Sequence, residues 1–216
     1  MAQDIVIYGI GGFGREVMQT VLDLGSDVWR PLGWLDDATE VDEVHGQPVL
    51  GSADWLREHP EVAVTVAIGS SAARSRVNQR ITKLGHDNFA TLVHPSAYVG
   101  RNVTLGKGTT VAPGVTLTTD LVVGEHNLLN VGCVLGHDVQ TDSTVSIAPN
   151  TVIGGGSHLE EGVEFGMGAG ARPNSVIGEW TVVGAGAFVS KDLPANVLAV
   201  GVPAKAIREF EPGWHF

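Results

Sequence analysis

The chain has 216 residues, 29 of them glycine, with 43% apolar content and a formal charge of −11 at neutral pH. Glycine stands far above the roughly 7% of an average chain, but it is interleaved with Val, Ile and Leu, which excludes disorder, and it does not recur at every third position, which excludes collagen. So acidic a surface offers no electrostatic footprint for nucleic acid or anionic lipid, and a single cysteine, Cys133, excludes an intramolecular disulfide framework.

The first ninety or so residues alternate between strand-like and helix-like segments. The N-terminus lacks a basic region, and Gly9, Gly11 and Gly12 interrupt its apolar run, so it does not read as a signal peptide. No run of about 18 apolar residues occurs that would span a membrane, and the expected compartment is the cytoplasm. Residues 4–8 (DIVIY) form a short β-branched strand, followed by a glycine-rich turn from Gly9 to Gly14. Val17, Val21, Leu22 and Leu24 then fall at helical spacing over 15–24. Residues 31–35 read as a second strand. Ser52 is placed to cap a short helix through Glu58, with Asp54 in its first turn. Residues 62–68 (VAVTVAI) read as a buried strand ended by Gly69, and 71–84 as a helix closed by Gly85. This order predicts a parallel sheet covered by helices.

From about Val93 the period changes to six. The apolar positions are Val99, Leu105, Val111, Leu117, Val123, Leu129 and Leu135, then Ile147, Ile153, Leu159, Phe165, Ile177, Val183 and Val189, with only Thr141 and Ala171 departing from large and apolar. Glycine often follows that position, as at Gly100, Gly136 and Gly166, and four residues after it stands a small or β-branched residue such as Thr109, Cys133 or Val145. Period six suits a coil that turns a corner every hexad and sends one side chain per face inward. Glycine after the apolar position is expected to supply the corner's dihedrals. Stacked coils then pair as parallel strands over a continuous apolar column. Pro95 marks the start of this region and Leu193–Pro194 its end, and residues 204–209 read as a short terminal helix.

Six segments together resemble one family: GIGGFGREV (9–17), GWLDD (33–37), AIGS (67–70), HPSAYVG (94–100), LNVGCVLGHD (129–138) and GVPAK (201–205). The chain resembles the bacterial nucleotide-sugar acyltransferases of the PglD and NeuD type over nearly its whole length. The resemblance implies an α/β Rossmann-like domain over 1–93, a left-handed parallel β-helix of hexapeptide repeats over 94–194, and a tail over 195–216. It also implies a homotrimer, acetyl-CoA as co-substrate, a nucleotide-linked amino sugar as acceptor, and no metal. In such enzymes the GHD histidine is the proposed general base, here His137, supported by the acid that follows, Asp138. Asn130 is then placed near the reacting sugar, and Gly11, Gly12, Phe13, Gly14, Asp36, Asp37 and Gly69 hold the nucleotide sugar. Ser146, Gly166, Met167, Gly184 and Ala185 fall at the CoA site. Relatives often carry His where this chain has Phe13 and Ser146.

Read from the residues alone, His137 is a corner side chain, since Leu135 and Val139 occupy the inward column. Imidazole, with an ordinary pKa near 6.5, suits removal of a proton from an attacking amine, and a neighbouring carboxylate favours the imidazolium that forms. His126 reads as structural or merely exposed, His158 and His215 carry no signal, and Cys133 reads as a packed thiol. Gly9, Gly11 and Gly14 have the G-x-G-x-x-G spacing of a dinucleotide site. A diphosphate bound at a helix N-terminus uses the same physics in NAD and in a sugar nucleotide. The short domain and the absence of a separate catalytic domain favour the sugar nucleotide. Asp36 and Asp37 read either as a polar turn or as ligand acids, and Lys205 and Arg208 either as surface charges or as contacts to CoA phosphates. N-acetylation of an amino sugar is the expected activity. The alternatives are O-acetylation of a sialic-acid-like sugar and a non-catalytic sugar-nucleotide or NAD binder.

Overall fold

The computed structural model of the protein describes residues 2–211, 213 and 214; His215 lies outside the described residues. The N-terminal unit is built from β1 (Gln3–Tyr8), α1 (Gly12–Leu24), β2 (Trp29–Leu35), β3 (Glu43–Val44), β4 (Gln47–Gly51), β5 (Ala63–Val66) and α2 (Ser71–Lys83). Its sheet runs in the order β3-β4-β2-β1-β5, and every pairing is parallel except the β3–β4 hairpin. Ile5, Val6 and Ile7 are fully buried because helices and loops cover both faces of β1. Ser52 does cap the next segment, its side chain accepting from the Asp54 N–H, but that segment is a five-residue 3-10 turn (Ala53–Arg57).

The second unit is a stack of two-residue strands at six-residue intervals, from β6 (Leu92–Val93) through β7 (Tyr98–Val99) to β22 (Phe188–Val189). The first strand precedes His94 and already pairs in parallel with Thr110–Val111. Each strand pairs with the strand three further on, so one coil is eighteen residues, and three parallel sheets of eight, six and five strands result, the eight-stranded one also taking in the tail. The chain thus forms a β-helix with three faces. The inward column is as spaced in the sequence: Leu117, Leu129, Leu135, Ile147, Leu159 and Val183 are inaccessible to solvent. Thr141 fits that column because buried Asn127 donates to its Oγ1 at 2.6 Å, while Asn127 Oδ1 takes the Val145 N–H at 2.5 Å.

Two expectations are corrected. The glycine after each apolar position does not supply unusual dihedrals. It permits close approach of the next coil: a Cβ on Gly166 would stand 2.5 Å from the Ala185 nitrogen, and one on Gly100 would land on the Thr118 carbonyl. The left-handed corner residue comes two positions later, at Asn102, Asp120, His126, Asp138, Thr144, Asn150, Asn174 and Trp180 and at the glycines that alternate with them. Asn and Asp tolerate that region through local side-chain hydrogen bonding. The terminal helix over 204–209 is also absent. Those residues form β24 (Lys205–Glu209), antiparallel to β23 (Val197–Val200), which itself extends the eight-stranded sheet. An open sheet edge offers this segment a full ladder of backbone partners, which outweighs the weak helical preference of a five-residue stretch.

Candidate active site

The glycine turn is shaped by contacts. Gly9 has φ of 107° and its Cα side faces the Ala67 carbonyl, and a Cβ on Gly14 would land on the Gly9 carbonyl. α1 therefore starts hard against β1. Its N-cap, Gly11, offers no side-chain cap, and its first turn holds no acid, so its leading N–H groups remain available to an anion. Asp36 buttresses this turn: its Oδ2 accepts from the Ile10 N–H at 3.3 Å and its Oδ1 from the Ala38 N–H at 2.9 Å. Asp37 accepts from the Ala53 N–H and pairs with Arg80. Its charge, after burial, raises the Tyr8 hydroxyl far above the usual phenol range.

These elements line an open cleft of about 420 Å³ bounded by Gly11, Gly12, Phe13, Asp36, Asp37 and Gly69, among others. Gly14 supports it from beneath, buried. A second cavity of about 340 Å³ runs along the eight-stranded face of the β-helix. It is lined by Asn130, Ser146, Gly166, Gly184 and Ala185, together with Glu164 and Gly69. Gly69 is thus a wall common to both cavities. Met167 stands just outside the second, at the exposed corner after Gly166.

The junction that holds Gly69 in place is polar and was not legible in the sequence. Arg74 of α2 is fully buried and donates to the carbonyls of Ile68, Gly69, His126, Thr144 and Val145 and to Ser146 Oγ, at 2.8 to 3.2 Å. Burial pushes its pKa down to about 10, opposed by the charge of Glu164. Glu164 in turn accepts from the Ser71 N–H at the start of α2. Ser146 completes the cluster, donating to the Gly69 carbonyl at 2.9 Å and meeting Ser71 Oγ at 2.9 Å. Four buried polar residues at helical spacing, Ser71, Arg74, Ser75 and Asn78, were the available signal. A helix charged on its sequence reads as solvated, however, unless its partner surface is known.

His137 and Asp138 lie elsewhere. β12 (Leu128–Leu129) belongs to the eight-stranded face and β13 (Val134–Leu135) to the six-stranded one. Asn130 sits at the corner between them, and His137 at the next corner. Within a single chain none of the described cavities is lined by His137. Its side chain is 67% exposed, with Nδ1 held by Asp138 Oδ2 at 2.7 Å. Asp138 occupies the left-handed corner position with φ of 59°, so the backbone that turns the coil also fixes the pair.

The other histidines and the thiol have structural settings. His126 packs edge-on against Phe89 at 4.6 Å, and burial brings its pKa down to about 4, helped by Lys107 and Arg74. His158 pairs with Asp142 at 3.0 Å on an exposed face. Cys133 is buried in the inward column, which raises its pKa to about 12. No helix among the described residues is long and apolar enough to cross a membrane.

Comparison with known proteins bears on the whole chain. Residues 4–81 match the family model described as the PglD N-terminal domain. GDP-perosamine N-acetyltransferase of Escherichia coli O157:H7 is 30% identical over 94% of this chain and 95% of its own. PerB from Caulobacter crescentus, solved in complex with CoA and GDP-perosamine, is 32% identical with a TM-score of 0.85, covering 95% of this chain and 97% of its own. The acetyltransferase domain of PglB from Neisseria gonorrhoeae, solved with acetyl coenzyme A, is 27% identical with a TM-score of 0.85, over 96% of this chain and all of its own. With that identity running through nearly the whole chain, the chain belongs to the PglD-type family of nucleotide-sugar acetyltransferases.

Proposed function

We propose that this protein transfers an acetyl group from acetyl-CoA to the amino group of a nucleotide-linked amino sugar, with His137 as general base. The observation that carries this reading is the wall at Gly69 common to both cavities. A sugar nucleotide whose diphosphate rests on the start of α1 extends its sugar past Gly69 toward Asn130. Acetyl-CoA laid along the β-helix groove, over Ser146, Gly166, Gly184 and Ala185 with Met167 at its rim, brings its thioester to the same place.

His137 Nε2 takes a proton from the sugar amine as the nitrogen attacks the thioester carbonyl. The C–N bond forms, the C–S bond breaks, and the leaving thiolate takes that proton from the imidazolium, which returns His137 to its neutral form. Asp138 holds Nδ1 and favours the imidazolium. Since His137 stands one corner away from Asn130, the site needs a second copy of the chain. A homotrimer of left-handed β-helices supplies it, each imidazole serving the groove of a neighbour. The six-stranded face between the two corners supports this packing, because Tyr98, Val152 and Phe188 leave it apolar and exposed. The protein then acts in the cytoplasm, where acetyl-CoA is made.

The test is thiol release from acetyl-CoA with UDP-, dTDP- and GDP-linked 4-amino sugars. One of these acceptors gives turnover with an N-acetyl product. Turnover only with hydroxyl acceptors of the sialic-acid type, or binding of acetyl-CoA with no turnover on any sugar, overturns the reading.

A further inference from the structure

The imidazole of His137 leans across the gap between coils onto Gly155, eighteen residues later and one coil on. A Cβ built on Gly155 would stand 2.6 Å from Nε2, 2.8 Å from Cε1 and 2.9 Å from Cδ2 of that ring. Three ring atoms at nearly equal distance mean that the ring lies flat over the glycine. The coil itself does not require glycine here, since the Gly155 backbone is outside the left-handed region. The repeat makes the same point. The position two residues after the apolar one recurs every six residues from Arg101 to Ala185, and Gly155 is its only glycine. The other occupants include Pro113, Thr119, Val131, Pro149, Met167 and Pro173. The one missing side chain is the one that would collide with His137.

We propose that Gly155 is a positioning residue: its bare Cα is the seat on which the His137 imidazole rests, so that Asp138 holds one edge of the ring and the opposite edge is offered outward. The proposal rests on the reading of His137 as general base. Without the seat, only the single hydrogen bond that Nδ1 donates to Asp138 restrains a ring that is two-thirds exposed. Around the ring the titratable groups are Asp138 on its own corner and Asp120 on the preceding coil, whose carboxyl is held below its ordinary range by hydrogen bonds from Asn102 and Thr119 and, last, by the charge of His137. The following coil contributes only Gly155 and Gly156 at this corner. A methyl group at 155 meets no backbone among its nearest neighbours, so the exposed ring yields by swinging away at little cost in stability. A base displaced by an ångström loses on the order of a hundredfold in rate.

The experiment compares Gly155→Ala and His137→Ala with the wild type. Gly155→Ala is expected to keep the wild-type Tm and both KM values while kcat falls at least about tenfold. A kcat for Gly155→Ala within about twofold of wild type, with His137→Ala inert, overturns the seat and leaves the base assignment standing. Should His137→Ala retain turnover, the base assignment fails instead, and with it the purpose of the seat. A second measurement needs no variant at position 155. The Gly155 Hα resonances carry an upfield ring-current shift from His137 that disappears in His137→Ala. Unchanged Hα shifts refute the contact.

Discussion

Replacing Arg74 by Met removes six hydrogen bonds while nearly preserving volume. Not all six acceptors are left bare. The Val145 carbonyl keeps the Leu128 N–H, and the Gly69 carbonyl keeps Ser146 Oγ. The carbonyls of Ile68, His126 and Thr144 depend on the guanidinium, and Glu164 loses its countercharge. A buried acceptor left unmade costs about 1–3 kcal/mol. Methionine's better burial offsets part of this, and the three bare carbonyls leave a net loss of about 3–5 kcal/mol. In a chain of this size that lowers Tm by roughly 10 °C, measured by circular dichroism at fixed protein concentration. Glu164→Gln added to Arg74→Met is expected to cost less than the sum of the two single changes, because the stranded acid is then neutral. A Tm for Arg74→Met within about 2 °C of wild type would refute the account of the junction.

His126 gives a pH dependence. Its folded pKa, near 4, lies below its unfolded value, so between those limits the unfolded chain binds the extra proton. Stability is therefore full above about pH 6.5 and is lost as pH falls toward 4, by about 2 kcal/mol per subunit once partial exposure is discounted. His126→Asn, which keeps a residue suited to the left-handed corner, flattens that slope in denaturant titrations; an unchanged slope would place its origin elsewhere. Subunit mixing tests where the imidazole acts. His137→Ala and Gly12→Asp, which sets a carboxylate against the diphosphate, are each inactive alone. Refolded together they regain activity at roughly one site in four, whereas a site within one chain regains none.

Much of the β-helix is legible in the sequence because one inward side chain per hexad is a local rule repeated without slippage, from Val99 to Val189. The same counting places Asn130 and His137 at successive corners. Elements that depend on distant partners are not legible. β4 carries Pro48 and Gly51 and exists because it lies beside β2. β24 exists because β23 leaves an edge beside it. Arg74 is an ordinary helix-surface residue until the carbonyls of the β-helix are brought against it. Among the candidate site residues, the glycine turn, Asp36 and Gly69 fall together in one cavity and Asn130, Ser146, Gly166, Gly184 and Ala185 in the next. Asp37 is already engaged by Arg80 and Ala53. A carboxylate so engaged shapes the cavity more than it waits for a ligand.

The most direct measurement is the single-turnover rate of acetyl transfer to an amino-sugar nucleotide, followed by product mass, for wild type and His137→Ala at saturating acetyl-CoA. Loss of at least about a hundredfold in rate, with both substrates still bound, is the predicted result. An undiminished rate in His137→Ala would contradict proton removal by this imidazole and the active site built around it.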